Sequence, residues 1–205
     1  MTDTREPHRP LSLVLSRRSL FAAAAALITL TGKARPMAAD TGRDLDPENT
    51  LFMDLAAGRV TIALRPDLAP NHVERIKTLT RQGFYDGVVF HRVIEDFMAQ
   101  TGDPTGTGMG GSDLPDLKAE FSDPSVAQHR RGTCSMARTQ EPNSANSQFF
   151  ICLADVPHLD GQYTIWGQVV DGMDAVDKIK VGSAARNGKV SDPDSILRMW
   201  VAADG

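Results

Sequence analysis

Cysteine is scarce in this chain. Only Cys134 and Cys152 occur among 205 residues, without the close spacing of a zinc or dithiol redox pair. Each sits in an apolar run, TCSMA and FFICLA, and reads as a small buried hydrophobe. A bridge between them requires neighbouring strands, where such a bond is usually strained. Conventional catalytic motifs are missing as well. There is no G-x-S-x-G elbow, no H-E-x-x-H pair and no G-x-x-x-x-G-K-[ST] loop, which argues against serine hydrolysis, zinc-metalloprotease chemistry and P-loop nucleotide chemistry. The five histidines, His8, His72, His91, His129 and His158, are scattered. No metal site and no cofactor is expected.

Long apolar runs are also lacking. Leu20 to Leu30 makes an eleven-residue apolar segment containing Thr29, too short at 1.5 Å per residue to cross a hydrocarbon core of roughly 30 Å. Arg17 and Arg18 precede it, and Ala38 and Ala39 follow after polar residues. Basic region, short apolar core and small residues are the layout of an export signal. The S-R-R-S-L-F stretch resembles the twin-arginine type, which exports folded proteins. Residues 1–39 are therefore expected to be removed, although Met37 is an imperfect small residue at the cleavage site. This reading makes the mature protein periplasmic; a cytoplasmic protein with an uncleaved tail is the alternative. The segment holds six of the 22 basic residues and two of the 26 acidic ones. The remainder is thus more acidic than the whole chain, whose formal charge is −4. Such a body is not an expected binder of nucleic acid or anionic membrane.

What remains is one domain with ordinary globular composition, 41% hydrophobic and 23% charged,. Residues 40–49 read as a linker and 50–205 as the folded domain. TLFMDLAAGRVTIAL suggests a hairpin turning at Ala57-Gly58,. A helix from Asn71, as its cap, to about Gln82 places Val73, Ile76, Lys77 and Leu79 on one face, with Gly83 as the stop,. VVFHRVI (88–94) reads as a strand apolar on both faces, covered on one side by core and on the other by a helix or ligand. GTCSMA, QFFICLA, YTIWGQVV and ILRMWVA read as further strands, and MDAVDKIKV as a short helix. Strands dominate and helices do not alternate with them, which favours a barrel over a parallel α/β sheet. GDPTGTGMGGSDLP is glycine-rich, but Asp113 and Pro115 follow where a dinucleotide fingerprint needs a helix. Its glycines are expected to permit tight backbone beside a groove.

The stretch FHRVIEDFMAQTGD sets a permanent cation, Arg92, close to Phe97 and Met98. An arginine among apolar groups must be paired, exposed or used. Together with GTGMGG, SMA, NSQFFI, LDG and WGQVVDGM, in this order, the stretch resembles the cyclophilins, a family of peptidyl-prolyl cis-trans isomerases. The similarity spans roughly residues 50–202. It implies a mainly β fold, a closed eight-stranded antiparallel β-barrel capped by two α-helices, and an enzyme that assists protein folding by rotating X–Pro bonds.

The resemblance also implies roles. Arg92 matches the catalytic arginine, and Gln100 and Gln148 the amides that hold arginine and substrate. Phe97, Met98, Phe150 and Leu159 match the apolar pocket for proline. Ala137 and Arg138 match the edge along which the peptide lies, and Gly108 and Gly110 the loop beside the pocket for the residue before proline. Three positions depart from the pattern. Arg138 stands where relatives often have Asn, which is expected to shift substrate preference. His158 stands where Trp is frequent, implying weakened cyclosporin binding. Tyr163 replaces a frequent histidine at the proline pocket. The implied partners are proline-containing polypeptides; a monomer with no cofactor is expected.

Overall fold

The structure, a computed structural model, describes residues 45–205. The export-signal reading of 1–39 and the first half of the linker lie outside the described residues. Eight strands form one antiparallel sheet in the order β3-β4-β6-β5-β7-β2-β1-β8. They are β1 (Thr50–Leu55), β2 (Gly58–Leu64), β3 (Arg92–Ile94), β4 (Met98–Thr101), β5 (Thr133–Met136), β6 (Phe149–Cys152), β7 (Ile165–Asp171) and β8 (Arg198–Val201). Helices α1 (Pro70–Arg81) and α2 (Met173–Val176) complete the fold. Among the described residues no helix is long and apolar enough to cross a membrane.

The sheet curls but its ladder does not close, which corrects the expected closed barrel. β3 and β8 remain its edges. The free edge of β3 is taken by the segment before β8: Val93 N–H donates to Gly188 O, Gly182 N–H to Val93 O and Val190 N–H to His91 O. Pairing across the seam is confined to isolated bridges, Val89 with Ser195 and Arg92 with Lys189. The strand expected over 88–94 accordingly shrinks to Arg92–Ile94.

The hairpin forms, with its turn at Ala56-Ala57, one residue earlier than expected. Helix α1 also forms, ending within a residue of Gln82 but starting two residues earlier than expected, so Asn71 does not cap it. Pro70 occupies the first turn and Ala69 the N-cap, which offers no side-chain acceptor. The acceptor comes from far along the chain. The Glu120 carboxylate accepts from Asn71 N–H at 3.2 Å and His72 N–H at 3.1 Å. A negative charge there also opposes the positive end of the helix. Gly83, at φ 67°, ends the helix, as only a residue tolerant of the left-handed region does without strain.

Alternation along the strands sorts side chains onto two faces. Val60, Ile62, Val93, Ala99, Cys134, Met136, Phe149, Ile151 and Trp166 point into the main core, closed by Val73, Ile76 and Leu79 of α1. The opposite face of β3, β4 and β6 carries a second, smaller cluster: Met98, Phe150, Cys152, Val156 and Leu159, flanked by Ile94, Phe97, Ala137 and Tyr163. Both cysteines are buried and free. Cys134 belongs to the inner face and Cys152 to the outer, so their thiols are not placed to meet although β5 and β6 pair. Burial raises both thiol pKa values, that of Cys152 to about 12, so neither is a ready thiolate.

Candidate active site

Register alone assembles the centre of the outer face. Arg92 pairs with Gln100, Gln100 with Phe150 and Phe150 with Ser135, so these side chains form one row across four strands. Ile94 pairs with Met98 and Met98 with Cys152 in the neighbouring row.

Two adjoining cavities open on this face. The smaller, about 120 Å³, is lined by Arg92, Phe97, Met98, Gln100, Ala137, Arg138, Phe150, Leu159 and Tyr163. The larger, about 380 Å³, is lined by Gly108, Met109, Gly110, Gly111, Ser112, Asp116, Thr139, Ser144, Asn146 and Gln148, and shares Gln100, Ala137 and Arg138 with the first. Of the residues matched through the family motifs, His158 alone lines neither. It is exposed on the short 3-10 turn Pro157–Leu159 and stacks on Phe97 at 5.5 Å between ring centroids.

Arg92 is half-buried. Its Nη1 donates to Gln100 Oε1 at 3.1 Å, and Gln100 Nε2 donates to Gln148 Oε1 at 2.9 Å. Gln148 Nε2 then donates to the carbonyls of Gly108 and Gly110. Gln148 thus steadies the arginine through Gln100 and not by touching it. Burial lowers the guanidinium's pKa from its ordinary value, but an arginine remains charged.

The glycine-rich loop has a buried organiser that the sequence reading did not single out. Asp103 is fully buried; its Oδ1 accepts from Thr105 N–H and Oγ1, and its Oδ2 from Gly108 N–H and Thr107 Oγ1. Burial alone would raise its pKa, but the donors from Thr105, Gly110 and Gly108 outweigh burial and hold it well below the carboxylate range. A Cβ at position 110 would collide with Asp103 Oδ1. The tight backbone expected beside a groove is therefore enforced by one carboxylate.

Two further residues were missed. Asn187, exposed in the left-handed conformation at φ 52°, accepts from Arg92 Nε through its carbonyl at 3.0 Å and from Nη2 through Oδ1 at 3.1 Å. An Asn-Gly pair such as 187–188 favours a turn, but nothing local ties it to Arg92. His129 is buried beside the smaller cavity, its ring stacked with Phe150 at 6.3 Å and edge-on to Tyr163 at 6.5 Å. Its Nδ1 lies 2.9 Å from Asp160 Oδ1 and its Nε2 3.1 Å from Ser135 Oγ. It braces the wall carrying Leu159 against β5.

This arrangement sets a fixed cation beside the apolar side chains of Phe97, Met98, Phe150 and Leu159, and comparison with known proteins gives it a family. Residues 50–201 match the family model described as cyclophilin type peptidyl-prolyl cis-trans isomerase. The chain belongs to the cyclophilin-type peptidyl-prolyl cis-trans isomerases. This cyclophilin is 53% identical over 199 residues to a probable peptidyl-prolyl cis-trans isomerase of Brucella suis biovar 1, covering 91% of this chain and 97% of the relative. It is 39% identical to peptidyl-prolyl cis-trans isomerase-like 1 of Aspergillus fumigatus, covering 76% of this chain and 96% of that protein. Among solved structures the cyclophilin resembles AquaCyp293 of Hirschia baltica, with a TM-score of 0.70 and 29% identity, covering 80% of this chain and 77% of that one. It also resembles a Cryptosporidium parvum cyclophilin crystallised in the presence of the dipeptide Ala-Pro, with a TM-score of 0.68 and 29% identity, covering 74% and 98% of the two chains.

Proposed function

We propose that this isomerase acts on proline-containing polypeptides by seating proline in the smaller cavity and stabilising the twisted X–Pro amide with Arg92. A peptide bond resists rotation by about 18–20 kcal/mol because the nitrogen lone pair is delocalised. Twisting localises that pair and turns the nitrogen into a hydrogen-bond acceptor. A donor that meets it only then lowers the barrier and does more than tighten binding. The cavity of Phe97, Met98, Phe150 and Leu159 would hold the ring by apolar burial, at about 25 cal/mol per Å².

One observation carries this reading. Arg92 sits in the wall of the cavity that Phe97, Met98, Phe150 and Leu159 line, and the oxygens it donates to, Gln100 Oε1 and the two of Asn187, are all uncharged. The guanidinium is held in place with its charge unspent.

Arg92→Ala is expected to lower kcat/KM for cis-to-trans conversion of an X–Pro peptide about 10²-fold or more, the scale of losing one transition-state donor, while peptide binding changes little. Arg92→Lys is not expected to rescue it, because a point charge does not reproduce the fork. Exchange spectroscopy on the peptide measures both. Unchanged rates in Arg92→Ala would overturn the mechanism.

In the same reading the isomerase serves exported chains, supported by the basic, apolar and small-residue order of 1–39,. Protein recovered from the periplasm is then expected to begin near residue 40 on N-terminal sequencing; active material beginning at residue 1 would contradict it.

A further inference from the structure

We infer that Arg138 makes this enzyme select an acidic residue at X of the X–Pro pair. The inference rests on the proposed seating of proline in the smaller cavity. Arg138 follows β5 and lines both cavities. An X–Pro bond running from one cavity to the other therefore brings the X side chain past this guanidinium.

The cation is preorganised. Nε and Nη2 donate to Gln162 O at 3.2 and 2.9 Å, and Nη1 donates to Thr139 O at 2.8 Å and Gln140 O at 3.3 Å. Its Cζ lies 4.5 Å from the Tyr163 ring centroid and 5.7 Å from that of Phe121, so the guanidinium rests against aromatic surface. These acceptors are neutral carbonyls, and one Nη2 hydrogen is left over. Most arginines of the described domain outside the site face an acid, as Arg59 faces Asp54, Arg81 faces Glu48 and Asp204, and Arg131 faces Asp177.

The surroundings leave the charge open. The smaller cavity is lined by two arginines, 92 and 138, and by no acid. In the larger cavity the one acidic side chain, Asp116, accepts from Asn146 Nδ2 at 3.0 Å. A carboxylate on X would supply the missing counter-charge without disturbing an existing pair. A lysine on X would meet like charge at a partly desolvated site.

The test is kcat/KM for a tetrapeptide series Ala-X-Pro-Phe with X as Glu, Gln, Ala and Lys. The wild type is expected to favour Glu over Gln by about two- to fivefold, the range for a partly exposed ion pair. The preference should shrink as salt is raised, a readout that needs no variant. Arg138→Gln should bring the Glu:Gln ratio to about one, whatever it does to turnover of the Ala peptide, and Arg138→Glu should favour Lys over Gln. A wild-type Glu:Gln ratio near one, or one that Arg138→Gln leaves intact, overturns the inference. A preference seen only when the carboxylate is moved to the residue after proline overturns the placement at X. Absence of turnover on every peptide would instead strike the proposed function, so the two failures are distinguishable.

Discussion

Asn187 grips Arg92 from 95 residues away, its backbone carbonyl on Nε and its side-chain Oδ1 on Nη2, at 3.0 and 3.1 Å. With Gln100 on Nη1, the fork is held on both sides, and the plane of the guanidinium is set by an exposed turn outside the sheet. Arginine loses less freedom per bond when its planar head is fixed in this way, and orientation is where much of such catalysis resides.

Asn187→Gly separates the two contacts. Glycine accepts φ 52° without strain and keeps the carbonyl, so only Oδ1 is lost. A hydrogen bond to a charged group is worth about 1.5–3 kcal/mol. The expected outcome is a kcat about tenfold lower with KM nearly unchanged, and a melting temperature within about 2 °C of wild type. A loss confined to KM or to stability would assign Asn187 a different role.

Glu120 should matter for stability well outside the chemistry. Besides the two N–H groups of α1, its Oε1 accepts from Asn71 Nδ2 at 2.7 Å and its Oε2 contacts His72 Nδ1 at 2.6 Å. Glu120→Ala leaves the helix start uncapped and a buried imidazole N–H without its acceptor. A cost of about 2 kcal/mol is expected, or roughly 4–8 °C in melting temperature. Thermal unfolding measures it, and a shift under 1 °C would mean that another acceptor takes over the cap.

Acid should destabilise the domain in two separate windows. Burial lowers the pKa of His72, His91 and His129 below the ordinary histidine value of 6.5. As pH falls through about 6.5 the unfolded chain takes up protons that the folded chain refuses, so stability falls with falling pH. Each histidine contributes a slope of at most about 1.4 kcal/mol per pH unit until its own lowered folded pKa is reached. Glu120 and Asp160 behave differently. Burial alone would raise both, but hydrogen bonds from His72 and Asn71 to Glu120, and from His129 to Asp160, hold them low. The stability they contribute is present above the unfolded carboxylate values and is lost below about pH 4. Urea midpoints at pH 7.5, 6.5 and 5.5 test the first window; a flat profile there would show that these rings protonate inside the fold.

Much of the fold was legible because it depends on short-range pattern. The apolar periodicity from Val73 to Leu79 and the stop at Gly83 identified α1 and placed its C-terminal end to within a residue. The runs around Cys134, Phe150, Trp166 and Met199 each became strands. That VVFHRVI is apolar on both faces announced a surface needing cover on the far side, and the far side of β3 and β4 is where the cavities lie. Errors fell where a distant group competes with a local one. Asn71 is a good capping residue by type, yet Glu120 supplies the cap. The closure of the sheet was lost because residues 182–190 take up the edge of β3.

Sequence by itself determined which side chains stand at the centre of the site: alternation along β3, β4 and β6 puts Arg92, Gln100, Met98 and Phe150 on one face, since neighbouring residues of a strand point to opposite sides. Tertiary structure alone decided what holds them. Asn187 on Arg92, His129 behind Phe150, Asp103 under the glycine loop and Arg138 over Tyr163 are each contacts whose partners no local period relates. A hydrogen bond forms where the folded backbone brings donor and acceptor within about 3 Å, whatever their separation along the chain.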